Sequence, residues 1–106
     1  MKIAFSMAYM HSGGAERVVS ELANSFAEQG HDVSIMVTKD SGCVYPLVDK
    51  VKLVDLSAED RGILSRIGAL RGCMRTNGYD LVVSFLTNTN IETLIAAVGL
   101  RVPVII

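Results

Sequence analysis

The chain has 106 residues, enough for one domain with its own core, and a net charge of −1. This charge argues against a general nucleic-acid binder, which needs a basic surface to neutralise phosphates. Half of the residues are hydrophobic, yet no apolar run approaches the roughly 18 to 20 residues that span a bilayer. A start of Met and Lys without a long apolar region does not resemble a signal peptide. We therefore expect a cytoplasmic domain whose strands are covered on both faces, as in parallel sheets.

The first part of the chain predicts three strands and one helix. Residues 2–8 are apolar and predict a buried strand, and residues 15–29 carry hydrophobic side chains at the i, i+3, i+4 spacing of an amphipathic helix. Gly30 supplies the left-handed residue that ends this helix. Residues 32–38 and 51–56 predict the second and third strands, with a polar loop between them.

A second long helix is predicted to begin at residues 57–60, whose S-x-x-D sequence has the form of a capping box, and to run to about Thr76. Three glycines within this pattern, Gly62, Gly68 and Gly72, lower its intrinsic helix propensity by roughly 1 kcal/mol each relative to alanine. The predicted core-facing residues of the helix are Ile63, Ile67, Leu70 and Met74.

The rest of the chain predicts a strand over 80–86, a polar connection over 87–90, a short helix over 91–98 and a final strand over 102–106. Strands that alternate with helices predict an α/β fold, a doubly wound parallel sheet of Rossmann-like type. We read residues 1–106 as one domain. Because the sequence ends within an apolar strand, we expect this domain to be the leading fragment of a longer protein.

Two adjacent glycines, Gly13 and Gly14, stand where the first strand changes into the first helix. Glycines at this junction let backbone N–H groups approach a ligand closely at the positive end of a helix dipole, at the edge where open α/β sheets bind ligands. The pair therefore predicts a phosphate or carboxylate site, with a plain tight turn as the alternative. It lacks the G-x-G-x-x-G spacing of a dinucleotide fingerprint, and Asp40 is only a weak match for the acidic residue that would hold a ribose.

Several segments together resemble a known family. The sequence S-G-G-A-E-R-V-V at 12–19, followed by L-A-N at 22–24 and G-H-D-V at 30–33, is similar to the opening of family 4 glycosyltransferases. The sequence Y-D-L-V-V-S at 79–84 resembles their fourth strand. The resemblance implies the GT-B architecture, in which two Rossmann-like domains face each other across a cleft, and residues 1–106 would form the N-terminal, acceptor-side domain.

The resemblance also implies a function. Such enzymes transfer a sugar, with retention of configuration, from a nucleotide diphosphate sugar to a glycan or lipid-linked acceptor, often in bacterial polysaccharide biosynthesis. The nucleotide sugar is the donor substrate, and no cofactor is implied; nor does any carboxylate cluster at ligand spacing imply a metal. Since the donor-binding domain and its paired glutamates would lie beyond residue 106, we expect no catalytic residue here and no activity from this fragment alone.

Site residues follow from matching positions. The resemblance assigns Gly13 and Gly14 to the donor diphosphate, as backbone donors that need no titrating side chain. His11, Arg17, Thr87 and Asn88 are candidate acceptor-binding residues. Each has a structural alternative: His11 as a solvated loop residue, Arg17 as the i+4 partner of Glu21, and residues 87–90 as the N-cap of the short helix that follows, through Thr89 or Asn90.

The sequence leaves three further possibilities open. Arg61, Arg71 and Arg75 fall on one side of the second long helix, where they would form either a solvated face or a peripheral contact with anionic lipid at the inner face of the membrane. The chain could be a stand-alone nucleotide- or small-ligand-binding module. It could also belong to an NAD-type oxidoreductase with a degenerate glycine loop, although the glycine spacing argues against this.

Overall fold

The computed structural model describes residues 1–11, 13–43 and 45–106, without the side chains of residues 40, 41, 43, 59 and 87. Its elements are β1 (Lys2–Met10), α1 (Gly14–Glu28), β2 (Asp32–Cys43), β3 (Val51–Asp55), a 3₁₀ turn (Ser57–Glu59), α2 (Ile63–Asn77), β4 (Leu81–Ser84), α3 (Thr87–Ala96) and β5 (Val104–Ile105). This order confirms the predicted alternation of strands and helices.

The five strands form one parallel sheet in the order β3-β2-β1-β4-β5. The central strand β1 pairs with both β2 and β4, so that Ile3 lies between Val33 and Leu81. The chain moves outward in one direction from β1 to β3 and in the other from β4 to β5. The sheet is therefore doubly wound, as predicted, and its order reverses between β1 and β4.

Successive residues of β1 point to opposite faces of the sheet, and each face is covered by helix. Ile3 and Phe5 belong to a core that includes Val19 and Ala23 of α1. Ala4 belongs to the core on the other side, with Leu70 of α2 and Ala96 of α3. Among the described residues, no helix has both the length and the apolar character needed to cross a membrane.

The second strand is longer than predicted. The sequence from residue 39 onward is polar and was expected to form a loop, but β2 continues to Cys43. Here it pairs with the end of β1 through Tyr9 opposite Asp40 and Met10 opposite Cys43, after register shifts typical of β-bulges. The extension places Lys39 beside the carboxyl end of β1.

The capping box predicted at residues 57–60 does not form. The hydroxyl and backbone N–H of Ser57 both donate to the carboxylate of Asp55, at 2.5 and 2.8 Å, so residues 57–59 make a separate 3₁₀ turn. The helix α2 begins later, after Gly62, whose φ of +124° suits glycine alone. Within the predicted core stripe Leu70 and Met74 are fully buried, but Ile63 is 50% exposed at the first residue of the helix.

The polar connection predicted at residues 87–90 is also wrong, because it is the first turn of α3. The N-cap position is Leu86, and no side chain caps the helix there. Thr89 is buried within this turn instead of acting as the cap. The predicted helix ends hold better: Gly30 follows α1 with φ +95° and Gly99 follows α3 with φ +79°.

Candidate functional site

A cavity of about 190 Å³ opens beyond the carboxyl ends of β1 and β4. This is the point where the strand order reverses, and open α/β sheets bind their ligands in the crevice that such a reversal creates. The polar side chains that line the cavity are those of Tyr9, Lys39, Asn88, Thr89 and Glu92. A second cavity of about 270 Å³ adjoins it and shares Lys39, Asn88 and Glu92.

Glu92 is the most deeply buried charged residue of this site, with 6% of its surface exposed. Arg66 holds its carboxylate by two hydrogen bonds, from Nε to Oε1 at 2.9 Å and from Nη2 to Oε2 at 3.3 Å. The same guanidinium donates from Nη1 to Oδ1 of Asp60 at 2.8 Å. A buried carboxylate is costly unless it is paired and hydrogen-bonded, and Arg66 meets both conditions.

The charges of this network stabilise one another. The hydrogen bonds from Arg66 to Glu92 and to Asp60 raise the pKa of the guanidinium above its ordinary value. The hydrogen bond from Arg66 also lowers the pKa of Asp60, with smaller contributions from the Gly62 N–H and the charge of Lys39. At neutral pH the network therefore holds one cation between two carboxylates, and the ammonium of Lys39 adds a second positive charge beside the cavities.

The start of α3 is shaped by an unusual backbone. Leu86 has φ +74°, and it is the single non-glycine residue with positive φ in the part of the chain that the structure describes. Strained backbone of this kind clusters at functional sites, and Leu86 lines the first cavity. Leu86 occupies the N-cap position of α3, and its side chain has no polar atom that could accept a hydrogen bond from an N–H group of the first turn.

Buried hydroxyl groups fix α3 on the sheet below the cavity. The hydroxyl of Thr93 donates to the backbone oxygen of Thr89 at 2.7 Å, and its oxygen lies 2.8 Å from that of Ser6. Ser84 donates to the same Thr93 oxygen at 3.4 Å. The helix that carries Asn88, Thr89 and Glu92 is thus held on β1 and β4 by polar contacts.

The two predicted glycines, Gly13 and Gly14, differ in their surroundings. The N–H of Gly13 donates to Oε2 of Glu16 at 3.1 Å, and Glu16 is only 5% exposed. A carboxylate of this chain therefore already satisfies the amide of Gly13 at the start of α1. Gly14 is exposed and would have nothing within 4 Å of an added Cβ, so it can be approached closely by a ligand.

The other predicted residues divide into two groups. Asn88 lines both cavities. His11 is exposed and stacks on the ring of Tyr9, a cavity residue, with ring centroids 4.7 Å apart. Arg17 lines neither cavity and instead pairs with Glu21 at 3.2 Å, as its structural alternative predicted. Thr87 and Asp40 were also considered as site residues from the sequence, but their side chains are not among those that the structure describes.

Sequence reasoning missed the residues that dominate the site. Lys39 was assigned to a loop, Arg66 to an amphipathic helix and Glu92 to a short apolar helix. A signal for Glu92 did exist, since it is the one charged residue of 91–98, a segment that is apolar apart from Glu92 and Thr93, and a carboxylate in such a segment needs a partner. Its partner was not predictable from spacing, because Arg66 lies 26 residues earlier in the sequence.

The arginines predicted to form a basic face on α2 also separate in the structure. Arg71 donates to the backbone oxygens of Ala96 and Val98, at 3.1 Å for Ala96, and so joins α2 to the end of α3. Arg61 and Arg75 remain exposed. A role in packing therefore accounts for Arg71.

Comparisons with known proteins agree on a family. The sequence profile of glycosyltransferase family 4 matches residues 12–106. A curated protein from Campylobacter jejuni is 35% identical over 114 aligned residues, which include the whole of this chain. Its name is GalNAc-alpha-(1->4)-GalNAc-alpha-(1->3)-diNAcBac-PP-undecaprenol alpha-1,4-N-acetyl-D-galactosaminyltransferase. The alignment spans 32% of that relative, so this chain matches about a third of its length.

A likeness to a solved structure concerns the fold. The C-terminal domain of a hydrogenase from Pyrococcus furiosus superposes with a TM-score of 0.61 at 14% identity, covering 97% of this chain and 88% of that one. At this identity the likeness shows a shared α/β architecture, which serves many functions.

Proposed function

The chain belongs to glycosyltransferase family 4, and we propose that it is the acceptor-side domain of a retaining enzyme that transfers a sugar from a nucleotide diphosphate sugar to a glycan or lipid-linked acceptor. The relative from Campylobacter jejuni supports this assignment, because its name describes sugar transfer to a glycan on undecaprenyl diphosphate. Since the match covers 32% of that relative, we further propose that a donor-binding domain follows residue 106.

The observation that carries this proposal is the polar cavity at the reversal of the strand order. Lys39 and Asn88 supply hydrogen-bond donors there, and Glu92 supplies acceptor oxygens. A sugar offers hydroxyl groups that both donate and accept, so a mixed set of this kind suits a polyhydroxylated acceptor. Tyr9, which is 36% exposed, adds an aromatic ring at the edge of the same cavity.

The donor diphosphate belongs, in this proposal, at the start of α1. Gly14 is exposed and unobstructed, and the positive end of the helix dipole lies there. Gly13 contributes less through its own N–H, which already donates to Glu16, and more by allowing that carboxylate to pack closely. Backbone amides would stabilise the charge that develops on the departing diphosphate.

A peripheral contact with the membrane is part of the same proposal, because a lipid-linked acceptor is held at a membrane surface. Arg61, which precedes α2, and Arg75 within α2 are exposed arginines that could approach anionic lipid. An NAD-type oxidoreductase is not favoured, since the family match and the adjacent glycines both argue against it.

The test is transfer by the complete gene product. The purified protein would receive a nucleoside diphosphate N-acetylgalactosamine as donor and a polyprenyl diphosphate bearing terminal N-acetylgalactosamine as acceptor, and the product would be weighed by mass spectrometry. We expect the acceptor to gain one sugar residue, with the anomeric configuration of the donor retained by NMR. If a panel of nucleotide sugars yields no acceptor-dependent product, the proposal is wrong.

A further inference from the structure

The position of Glu92 is not explained by packing. It lies on α3, where its carboxylate meets Arg66 of α2, and an apolar side chain there would bury surface without the several kcal/mol that desolvation of a carboxylate costs. The chain instead places a carboxylate there with 6% exposure and compensates it with Arg66. A buried, paired carboxylate that borders a cleft is a candidate functional residue.

The hydrogen bonds of Glu92 leave part of its capacity unused. A carboxylate has about four acceptor positions on its two oxygens. Among the described residues, Arg66 fills one position on each oxygen, at 2.9 and 3.3 Å. Glu92 lines both cavities, so the remaining positions can accept hydrogen bonds from a molecule bound there.

We propose that Glu92 is a specificity-determining residue that accepts hydrogen bonds from hydroxyl groups of the acceptor sugar, and that Arg66 positions it. This inference rests on the proposed function. Because an ionised carboxylate accepts and never donates, it selects donor groups at fixed positions on the sugar. A site built to hydrogen-bond a hydroxyl strongly disfavours an analogue that lacks it, since the buried polar group is then left without that partner.

The arrangement of charges makes this selection rigid. Arg66 cannot lose its proton under ordinary conditions, and its two-point contact fixes the plane of the carboxylate. Lys39 and Asn88 border the same cavities and can donate to other oxygens of the same sugar. Glu92 would therefore accept hydrogen bonds from hydroxyl groups of the sugar, while Lys39 and Asn88 would donate hydrogen bonds to its oxygen atoms.

The experiment uses the complete enzyme, the N-acetylgalactosamine donor and a set of acceptors, each lacking one hydroxyl of the terminal sugar. In the unaltered enzyme, the analogue without the hydroxyl bound by Glu92 should lose about 10- to 100-fold in kcat/KM, the range for a hydrogen bond to a charged group. In E92Q this penalty should fall several-fold while KM for the normal acceptor rises and KM for the donor stays the same. E92D keeps the charge that Arg66 needs but withdraws the carboxylate by one methylene, and should also raise the acceptor KM.

The matched control is D60N, which removes the other carboxylate on the same guanidinium without altering a residue that lines either cavity. It should lower thermal stability and leave the acceptor KM and the penalties of the analogues within about twofold. Unchanged acceptor KM and unchanged penalties in E92Q and E92D, with transfer intact, would overturn the assignment of Glu92 alone. Absence of transfer by the unaltered enzyme would instead overturn the proposed function.

Discussion

The hydroxyl of Ser6 donates a hydrogen bond to the hydroxyl oxygen of Thr93, 2.8 Å away, in the buried interface between β1 and α3. The direction follows from the neighbouring contact. Thr93 has one hydroxyl proton, and it goes to the backbone oxygen of Thr89, which can only accept. Thr93 is therefore the acceptor for Ser6, and α3 is attached to the central strand by a directed chain of hydrogen bonds.

The first prediction concerns a variant that removes this acceptor. T93V keeps the shape of the side chain but leaves the buried hydroxyls of Ser6 and Ser84 without their partner, and we expect a loss of about 1–3 kcal/mol in the free energy of unfolding. Urea denaturation of the complete protein would measure it. T93S, which retains the hydroxyl, is the control and should lose less. A T93V protein as stable as the original would show that these hydrogen bonds contribute little.

The second prediction concerns the glycines of α2. Gly72 is exposed in the middle of the helix, and an added Cβ would meet nothing within 4 Å. G72A should therefore raise the free energy of unfolding by about 1 kcal/mol, the difference in helix propensity between glycine and alanine. The control is G78A, since Gly78 ends the helix with φ +62° and alanine there would be strained. Thermal unfolding should shift in opposite directions for the two variants.

Thr93 shows what the sequence could not predict. The hydrophobic pattern located five strands and three helices correctly because parallel strands and amphipathic helices bury apolar residues at regular spacing. It failed at residues 87–90, because this Thr- and Asn-rich segment is the first turn of α3, and one turn later Thr93 contacts Ser6 and Ser84 of the sheet through a hydroxyl group rather than an apolar side chain. A polar interface of this kind adds no hydrophobic residue to the periodic pattern, so the sequence predicted a loop where the helix begins.

The candidate site shows the same limit. Gly14 and Asn88 were predicted because a glycine junction and a polar segment after a strand are local signals at one edge of the sheet. The contact between Arg66 and Glu92 joins two helices far apart in the sequence. Lys39 reaches the cavity only because β2 continues beyond its apolar part. The Arg66–Glu92 contact and the position of Lys39 both depend on tertiary structure, which the local spacing of residues does not predict.

The third prediction is a pH dependence. The hydrogen bond from Arg66 lowers the pKa of Asp60 from its ordinary 3.8. A carboxyl whose pKa is lower in the folded state stabilises the fold above its unfolded pKa, and this stabilisation is lost as the pH falls through the folded value. D60N, whose amide resembles the protonated acid, should thus have a lower Tm than the unaltered protein at pH 7. The difference should shrink below about pH 4; a difference that stays constant from pH 7 to pH 2.5 would contradict this account.

The fourth prediction separates the two glycines of the first loop. G14A should fold normally, because an added Cβ meets nothing within 4 Å, but the methyl group would obstruct the close approach of a diphosphate to the start of α1. We expect its KM for the nucleotide sugar to rise by about tenfold, a loss of about 1.4 kcal/mol, with the acceptor KM unchanged.

G13A tests the same loop through a different contact. A Cβ on Gly13 would lie 2.7 Å from Oε2 of Glu16, so the carboxylate must move and its hydrogen bond to the Gly13 N–H is disturbed. This variant should lower Tm, whereas G14A should not. Steady-state kinetics with each substrate varied, together with thermal unfolding of both variants, would distinguish the two effects. If G14A leaves the donor KM unaltered, the diphosphate does not bind at this helix terminus.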